Sequence, residues 1–162
     1  MNEYIERINQ SVRHINQAPE LHRHRLIVVV VTIGSRQTLS FREVAAQLGF
    51  QYVNVNLELS RLLLEISKQQ QPVKAFKLLN DEIIGQSAQQ GLVLDHLEIL
   101  FDVGLRLDPM RCLLDIARRY MVVARWTGSY ERGYLVQAEP GHPEYVQYQT
   151  QDAVIISVES NP

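Results

Sequence analysis

A short polar segment suited to phosphate binding follows the longest apolar run of the chain. Residues 26–33 (Leu-Ile-Val-Val-Val-Val-Thr-Ile) lead directly into Gly34, Ser35, Arg36, Gln37 and Thr38. In a loop between a strand and a helix, backbone N–H groups can surround phosphate oxygens, and a Ser or Thr hydroxyl can hold the accompanying Mg²⁺. The segment predicts a nucleotide-binding loop over residues 34–38, with Thr38 as a magnesium ligand.

This loop departs from the usual phosphate-loop pattern at three positions. When Thr38 takes the Ser/Thr position, Val31 and Arg36 replace the two glycines and Gln37 replaces the lysine. A β-branched valine does not readily adopt the conformations that glycine permits, and glutamine brings no charge to the β- and γ-phosphates. Arg36 is either a compensating cation or a solvated loop residue. We therefore expect at most a weak ATPase.

Two carboxylates follow a later apolar strand. Residues 91–95 (Gly-Leu-Val-Leu-Asp) place Asp95 at the strand's carboxyl end, and Glu98 comes three residues later. Asp95 is either the residue that orients nucleotide-bound Mg²⁺ or an N-cap for the turn that follows. Glu98, one helical turn on, is a tentative catalytic base, with a solvated carboxylate as the alternative. The five histidines show no ligand spacing, so we predict no metal site independent of nucleotide.

The elements that must position these residues alternate between strands and helices. Strands are predicted over residues 26–33, 52–56, 91–95, 121–126 and 154–158. Helices are predicted at the N-terminus, after Ser40, after Asn56 as N-cap, after residue 72, and from Pro109 to about residue 119. This order is typical of an α/β fold with an open, mostly parallel sheet and helices on both faces. It predicts a helix over residues 1–19 packed on a single domain over residues 20–162, which ends in a β-hairpin or strand. Ligands of such sheets bind at the carboxyl ends of the strands, where the polar residues are 34–38, Asn54 and Asn56, Asp95, and 125–127.

Composition argues against secretion and against a global attraction to nucleic acid. The chain has 162 residues, a formal net charge of −2 and one cysteine, Cys112, which cannot form an internal disulfide. The first residues lack a signal-peptide pattern, and the longest apolar run is far shorter than a membrane helix requires. These features predict a cytoplasmic protein without a membrane segment.

Two local surfaces remain as candidate partner sites. Residues 22–25 (His-Arg-His-Arg), with Arg13 and Arg36, could form a basic patch for DNA, although alternation along a strand would divide those four side chains between two faces. Late in the chain, Tyr130, Tyr134, Tyr145 and Tyr148 either form a partner surface or pack around a C-terminal hairpin.

Several segments of the chain together resemble one small family. They are residues 53–65, 94–102, 107–109 and 122–126, and above all residues 138–145 (Ala-Glu-Pro-Gly-His-Pro-Glu-Tyr). In these the chain is similar to the BrxF-like small P-loop proteins of the BREX bacteriophage-defence systems, from about residue 26 to residue 148.

The resemblance implies several properties. They are a P-loop NTPase-like fold of the RecA/AAA type, a bacterial cytoplasmic setting, ATP and Mg²⁺ as ligands, and other defence proteins, DNA or further copies of the chain as partners. It also implies nucleotide binding at residues 34–38 and a Walker-B-type role for Asp95. The Arg-Gln-Thr sequence at residues 36–38, where the family has Gly-Lys-Thr, departs from that pattern.

Overall fold

The centre of the molecule is a parallel five-stranded sheet. The computed structural model describes residues 2–32, 39–85, 87, 89–138, 141–149 and 152–158. Five of its strands form one sheet in the order β2-β3-β4-β1-β8, and every neighbouring pair is parallel. Their bounds are Leu26–Val31 (β1), Gln51–Asn54 (β2), Gly91–Asp95 (β3), Met121–Thr127 (β4) and Val154–Val158 (β8). The predicted open α/β sheet is confirmed.

Helices cover both faces of this sheet, as predicted. Their bounds are Glu3–Gln17 (α1), Phe41–Leu48 (α2), Val55–Leu63 (α3), Gln71–Lys77 (α4) and Pro109–Ile116 (α5), with a π-helical continuation of α4 over Leu78–Ile84. Alternate residues of β1 enter two separate cores: Ile27 and Val29 pack with α1 and α2, whereas Val28 and Val30 pack with the other helices. Burial on both faces explains why this strand is continuously apolar.

The first helix shows how spacing determines burial. Ile5, Ile8, Val12 and Ile15 are all buried in the core beneath α1. Residues three and four apart share one face of a helix, so these four form the apolar stripe that the spacing predicted. The Asn2 side chain caps the helix by accepting a hydrogen bond from the Tyr4 N–H.

Three predicted boundaries are wrong. Strand β2 ends at Asn54, whose side chain accepts a hydrogen bond from the Leu57 N–H, so the N-cap of α3 is Asn54 and not Asn56. Strand β1 ends at Val31 rather than residue 33, and α5 ends at Ile116 rather than about residue 119. Asn54 and Asn56 are equally suitable N-caps as far as the sequence shows. Which of them caps α3 depends on where the pairing of β2 with β3 ends.

The C-terminal part contains both a small antiparallel sheet and a strand of the main sheet. Strands Ser129–Glu131 (β5), Tyr134–Gln137 (β6) and Val146–Gln149 (β7) pair in sequence order, after which β8 returns to pair with β1. The buried Trp126 joins the two sheets, because its indole N–H donates to the Val136 carbonyl at 3.1 Å and its ring meets the Tyr148 ring edge-to-face. Tyr148 is therefore a packing residue of this sheet.

None of the helices in the described part of the chain combines the length and hydrophobicity needed to cross a membrane.

Candidate functional site

The candidate site lies where the parallel strands end together. The ladder places Asn54 beside Asp95 and Leu94 beside Ala124, which brings Asp95 level with Arg125 of β4. Arg125 is in turn level with Val29 of β1. Neighbouring strands are about 4.8 Å apart, so β1 and β3 are separated by about 10 Å across β4. The strand order thus brings the end of β1 and Asp95 to the same edge of the sheet.

Asp95 is buried and fully engaged by neighbouring donors. It is 4% exposed. The Tyr52 hydroxyl donates to its Oδ2 at 2.6 Å, and the His96 backbone N–H donates to its Oδ1 at 3.0 Å. Arg125 Nη1 lies 3.5 Å from Oδ1. The carboxylate is therefore both hydrogen-bonded and neutralised, as a buried charge must be.

His96 separates the two predicted acidic residues. Its backbone has a left-handed φ of 54°, which turns the chain immediately after β3. Its ring nitrogens lie 3.5 Å from Asp95 Oδ2 and 3.6 Å from Glu98 Oε1. Glu98 begins the short 3₁₀ turn Glu98–Phe101, and its side chain is 58% exposed. Glu98 is thus a surface carboxylate held by His96, and Asp95 does not cap the 3₁₀ turn, which begins after Leu97.

Two arginines border Asp95 on the side covered by α2. The Arg125 guanidinium lies over the Phe41 ring, 5.2 Å from its centre, and the Arg42 guanidinium lies 4.3 Å from the centre of the Tyr52 ring. Arg125 Nε is buried and has no hydrogen-bond partner among the described residues. Both cations are stacked on aromatic rings next to the first turn of α2, so two guanidinium groups flank Tyr52 and Asp95 at this edge.

Tyr52 is held in its protonated form by this arrangement. Burial raises its pKa to about 12, and the hydrogen bond to Asp95 and the negative charge of Asp95 act in the same direction. An ionised Tyr52 would lose the hydrogen bond and repel the carboxylate. Tyr52 therefore acts as a permanent donor to Asp95 over the neutral pH range.

The helix that follows the predicted phosphate loop begins later than a phosphate-loop helix would. Helix α2 starts at Phe41, three residues after Thr38, and Ser40 caps it by accepting from the Glu43 N–H at 3.3 Å. This contact makes Ser40 the N-cap of the helix that the sequence predicted after it. The predicted ligands Gly34, Ser35, Arg36, Gln37 and Thr38 lie outside the described residues.

The described residues do not form a magnesium site. Asp95 occupies the expected strand end, but both of its oxygens already accept hydrogen bonds and the Arg125 cation lies against Oδ1. Within the described ranges, no group of three His, Cys, Asp or Glu side chains is arranged so that it could hold a metal ion. A metal ion bound directly to Asp95 would have to displace a guanidinium, which carries charge of the same sign.

An open cleft of about 370 Å³ lies at the β2 edge and is bordered by Arg42. Arg42, Tyr52, Asn54 and Glu58 contribute polar groups to its lining. A larger cavity of about 440 Å³ lies between α1 and β8, away from Asp95 and Arg125. The smaller cleft is the better candidate of the two, because it contains Tyr52, which donates to Asp95, and Arg42, which stacks on Tyr52; Arg125 lies outside its lining.

Sequence reasoning placed Asp95 and Arg125 at the same edge of the sheet but did not pair them, and it missed Tyr52 and Arg42. Tyr52 lies 43 residues before Asp95 and Arg125 lies 30 residues after it, and the strand order that unites them has no local sequence signal. The sequence signal that could have indicated a partner for Asp95 is Arg125 near the end of the apolar strand β4, because a charged side chain in a buried strand needs a partner.

Comparison of the chain with models of protein families, with curated proteins and with solved structures found no match.

Proposed function

We propose that the chain is a nucleotide-binding protein of P-loop NTPase-like architecture, of the RecA/AAA type, that does not turn its ligand over at a significant rate. In this proposal it acts in the bacterial cytoplasm as a partner in a BREX-type phage-defence assembly. ATP is the expected ligand. Magnesium accompanies the nucleotide as its counterion and is not ligated by Asp95.

The strand order supports a ligand site at this edge. From β1 the chain crosses to β2 at one edge of the sheet and returns through β3 and β4, whereas β8 lies on the other side of β1. Such a reversal opens a crevice outside the carboxyl ends of the strands, where open α/β sheets bind their ligands. Residues 34–38 follow the strand beside this crevice.

The Arg125 guanidinium is the single observation that carries the proposal. It is held between Asp95 and the Phe41 ring, and its buried Nε has no partner among the described residues. A buried donor without an acceptor costs about 1–3 kcal/mol. A phosphate oxygen would supply that acceptor, and guanidinium groups bind phosphate in a bidentate manner.

Slow or absent turnover follows from the residues that hydrolysis would require. Gln37 replaces the lysine that would meet the β- and γ-phosphates, and Asp95 is paired with Arg125. The exposed Glu98 carboxylate is directed to His96. Nucleotide binding and nucleotide hydrolysis thus require different residues, and the described residues support binding better than hydrolysis.

The defence setting depends on the resemblance in residues 94–102 and 138–145. A protein that binds nucleotide without hydrolysing it can serve an assembly as a switch, because its ligand stabilises one conformation over another. The second candidate function is a scaffold that binds no nucleotide and contributes only protein surfaces. Co-expression with the other proteins of a BREX system, followed by size-exclusion chromatography, tests for a stable complex.

A thermal-shift titration separates the two candidates. Ligand at ten times its Kd stabilises a native protein by about 1.4 kcal/mol, which raises the Tm of a domain of this size by about 3–5 °C. We expect such a shift with ATP in EDTA as well as in magnesium, and no release of phosphate above background. Absence of a shift with ATP, ADP, GTP or GDP at millimolar concentration would refute the nucleotide proposal and leave the scaffold.

A further inference from the structure

A second positively charged surface lies at the opposite, amino edge of the sheet. It consists of the loop before β1 and the turn after α5, and we call it the basic edge. Its members are His22, Arg23, His24, Arg25, Arg118 and Arg119. Arg23, Arg118 and Arg119 are exposed, and the other three are partly buried.

Hydrogen bonds hold the two halves of the basic edge together. The Arg25 N–H donates to the Ala117 carbonyl at 3.1 Å, and Arg25 Nη2 donates to the Arg119 carbonyl at 2.9 Å. Arg118 Nε donates to His24 Nε2 at 3.4 Å. These contacts fix the backbone of a cationic surface before any ligand arrives, which lowers the entropy cost of binding.

The charges of the basic edge are not neutralised by carboxylates. Within the described ranges none of its four arginines forms an ion pair, whereas Arg61, Arg111 and Arg125 each do. Arg25 and Arg119 donate instead to uncharged acceptors, Arg119 to the Asn80 side chain. The carboxylates near the basic edge include the exposed Glu20, Asp81 and Asp152; Asp81 accepts from the Asn80 amide, and Asp115 of α5 pairs with Arg111. Four unpaired guanidinium groups on one surface indicate an anionic partner.

This surface differs from the basic patch that the sequence predicted. The expected alternation of residues 22–25 along a strand is wrong, because β1 begins only at Leu26 and those residues form a loop. Arg118 and Arg119, which the sequence did not link to this loop, supply the remaining charge. Arg13 is an exposed residue of α1, and Arg36 lies outside the described residues.

We propose that the basic edge binds the phosphate backbone of nucleic acid, at a site separate from the nucleotide site. Beside the arginines, a cavity of about 220 Å³ is lined by His22, Arg23, His24 and Asp152. The His22 ring meets His14 edge-to-face at 6.4 Å, so two imidazoles adjoin the cationic row. Arginine and histidine side chains combine phosphate contacts with planar groups on which unpaired bases can stack, which favours nucleic acid over a lipid headgroup.

The proposal predicts how strongly the affinity for DNA depends on the salt concentration. On duplex DNA each phosphate neutralised contributes about 0.9 to the slope of log K against log salt, so four arginines predict a slope of about −3.6 and a loss of roughly 150-fold between 50 and 200 mM salt; on single strands, at about 0.7 per phosphate, they predict about −2.8 and roughly 50-fold. Removing two of them should reduce the slope on duplex DNA to about −1.8 and the loss to roughly 12-fold.

Fluorescence anisotropy with labelled DNA, single-stranded and duplex, tests this directly. The double variant Arg23→Gln/Arg118→Gln changes two exposed side chains of the basic edge. Arg111→Gln is the matched control, since it lies at the other end of α5 and carries the same single charge. We expect the double variant to weaken binding and flatten the salt dependence, and the control to bind as the parent does.

Three results would overturn the proposal. They are no binding to DNA at low salt, equal binding by the parent and the double variant, and binding to anionic phosphatidylserine vesicles with no binding to DNA. Circular dichroism and the Tm of each variant establish that the fold is unchanged. Because the nucleotide site lies at the other edge, the double variant should retain the ATP-induced thermal shift of the parent.

Discussion

The hydrogen bond from Tyr52 to Asp95 can be removed with little change of shape by the substitution Tyr52→Phe. A hydrogen bond to a charged group contributes about 1.5–3 kcal/mol to stability. The acceptor side chain is 6% exposed, but the donor ring is only half-buried, so water can partly replace the lost hydroxyl. We therefore expect Tyr52→Phe to lower the free energy of unfolding by about 1.5 kcal/mol, near the lower limit.

Urea denaturation at neutral pH measures this loss. Tyr130→Phe is the matched control, because it removes the same hydroxyl from a side chain that is 39% exposed and should change stability by less than about 0.5 kcal/mol. A double-mutant cycle of Tyr52→Phe with Asp95→Asn isolates the pair, with an expected coupling of about 1 kcal/mol. A coupling near zero, or equal losses for Tyr52→Phe and Tyr130→Phe, would refute the role given to Tyr52.

Further predictions concern the core and the titratable groups. Ile8 has no exposed surface, so Ile8→Ala should lower the free energy of unfolding, measured in urea, by about 2–4 kcal/mol. Leu64 is 84% exposed, so the control Leu64→Ala should change it by less than about 0.5 kcal/mol. Similar losses for the two variants would contradict the packing of α1. Stability should fall as pH rises from about 10 to about 12, because an unfolded tyrosine ionises near 10 while the pKa of Tyr52 is raised to about 12, and burial and Asp108 also raise the pKa of Tyr148. The stability that Tyr52 contributes is fully present below pH 10 and is lost between pH 10 and pH 12. In urea denaturation, the stability of Tyr52→Phe should therefore decline less steeply over this range than that of the parent. An identical decline would contradict the raised pKa of Tyr52. Burial raises the pKa of the Cys112 thiol to about 12, so Ellman's reagent should react with it only as the protein unfolds, and fast reaction of the native protein would contradict its burial.

Local patterns predicted the elements because each pattern reflects burial. The continuous run of β-branched residues in β1 is apolar because both of its faces are covered, and the spacing of Ile5, Ile8, Val12 and Ile15 matches the single buried face of α1. Both signals depend only on neighbours in sequence, so both could be read without a structure.

The partners of Asp95 could not be predicted in the same way. Tyr52 lies 43 residues and Arg125 lies 30 residues from Asp95 in the chain, and they meet because β2 and β4 flank β3. The order of the strands is determined by the packing of the whole domain. The contribution of Arg118 and Arg119 to the basic edge was missed for the same reason, since Arg118 approaches His24 across 94 residues.

Isothermal titration calorimetry of ATP in EDTA, with the parent and with Arg125→Gln, tests the central claim most directly. Arg61→Gln is the control, because it removes an exposed α3 arginine that pairs with Glu58. A charge-assisted contact is worth about 1.5–3 kcal/mol, so Arg125→Gln should weaken binding by roughly 10- to 150-fold while Arg61→Gln leaves it unchanged. If ATP binds only with magnesium, or binds equally to the parent and Arg125→Gln, then the guanidinium is not the phosphate ligand and the account of this site is wrong.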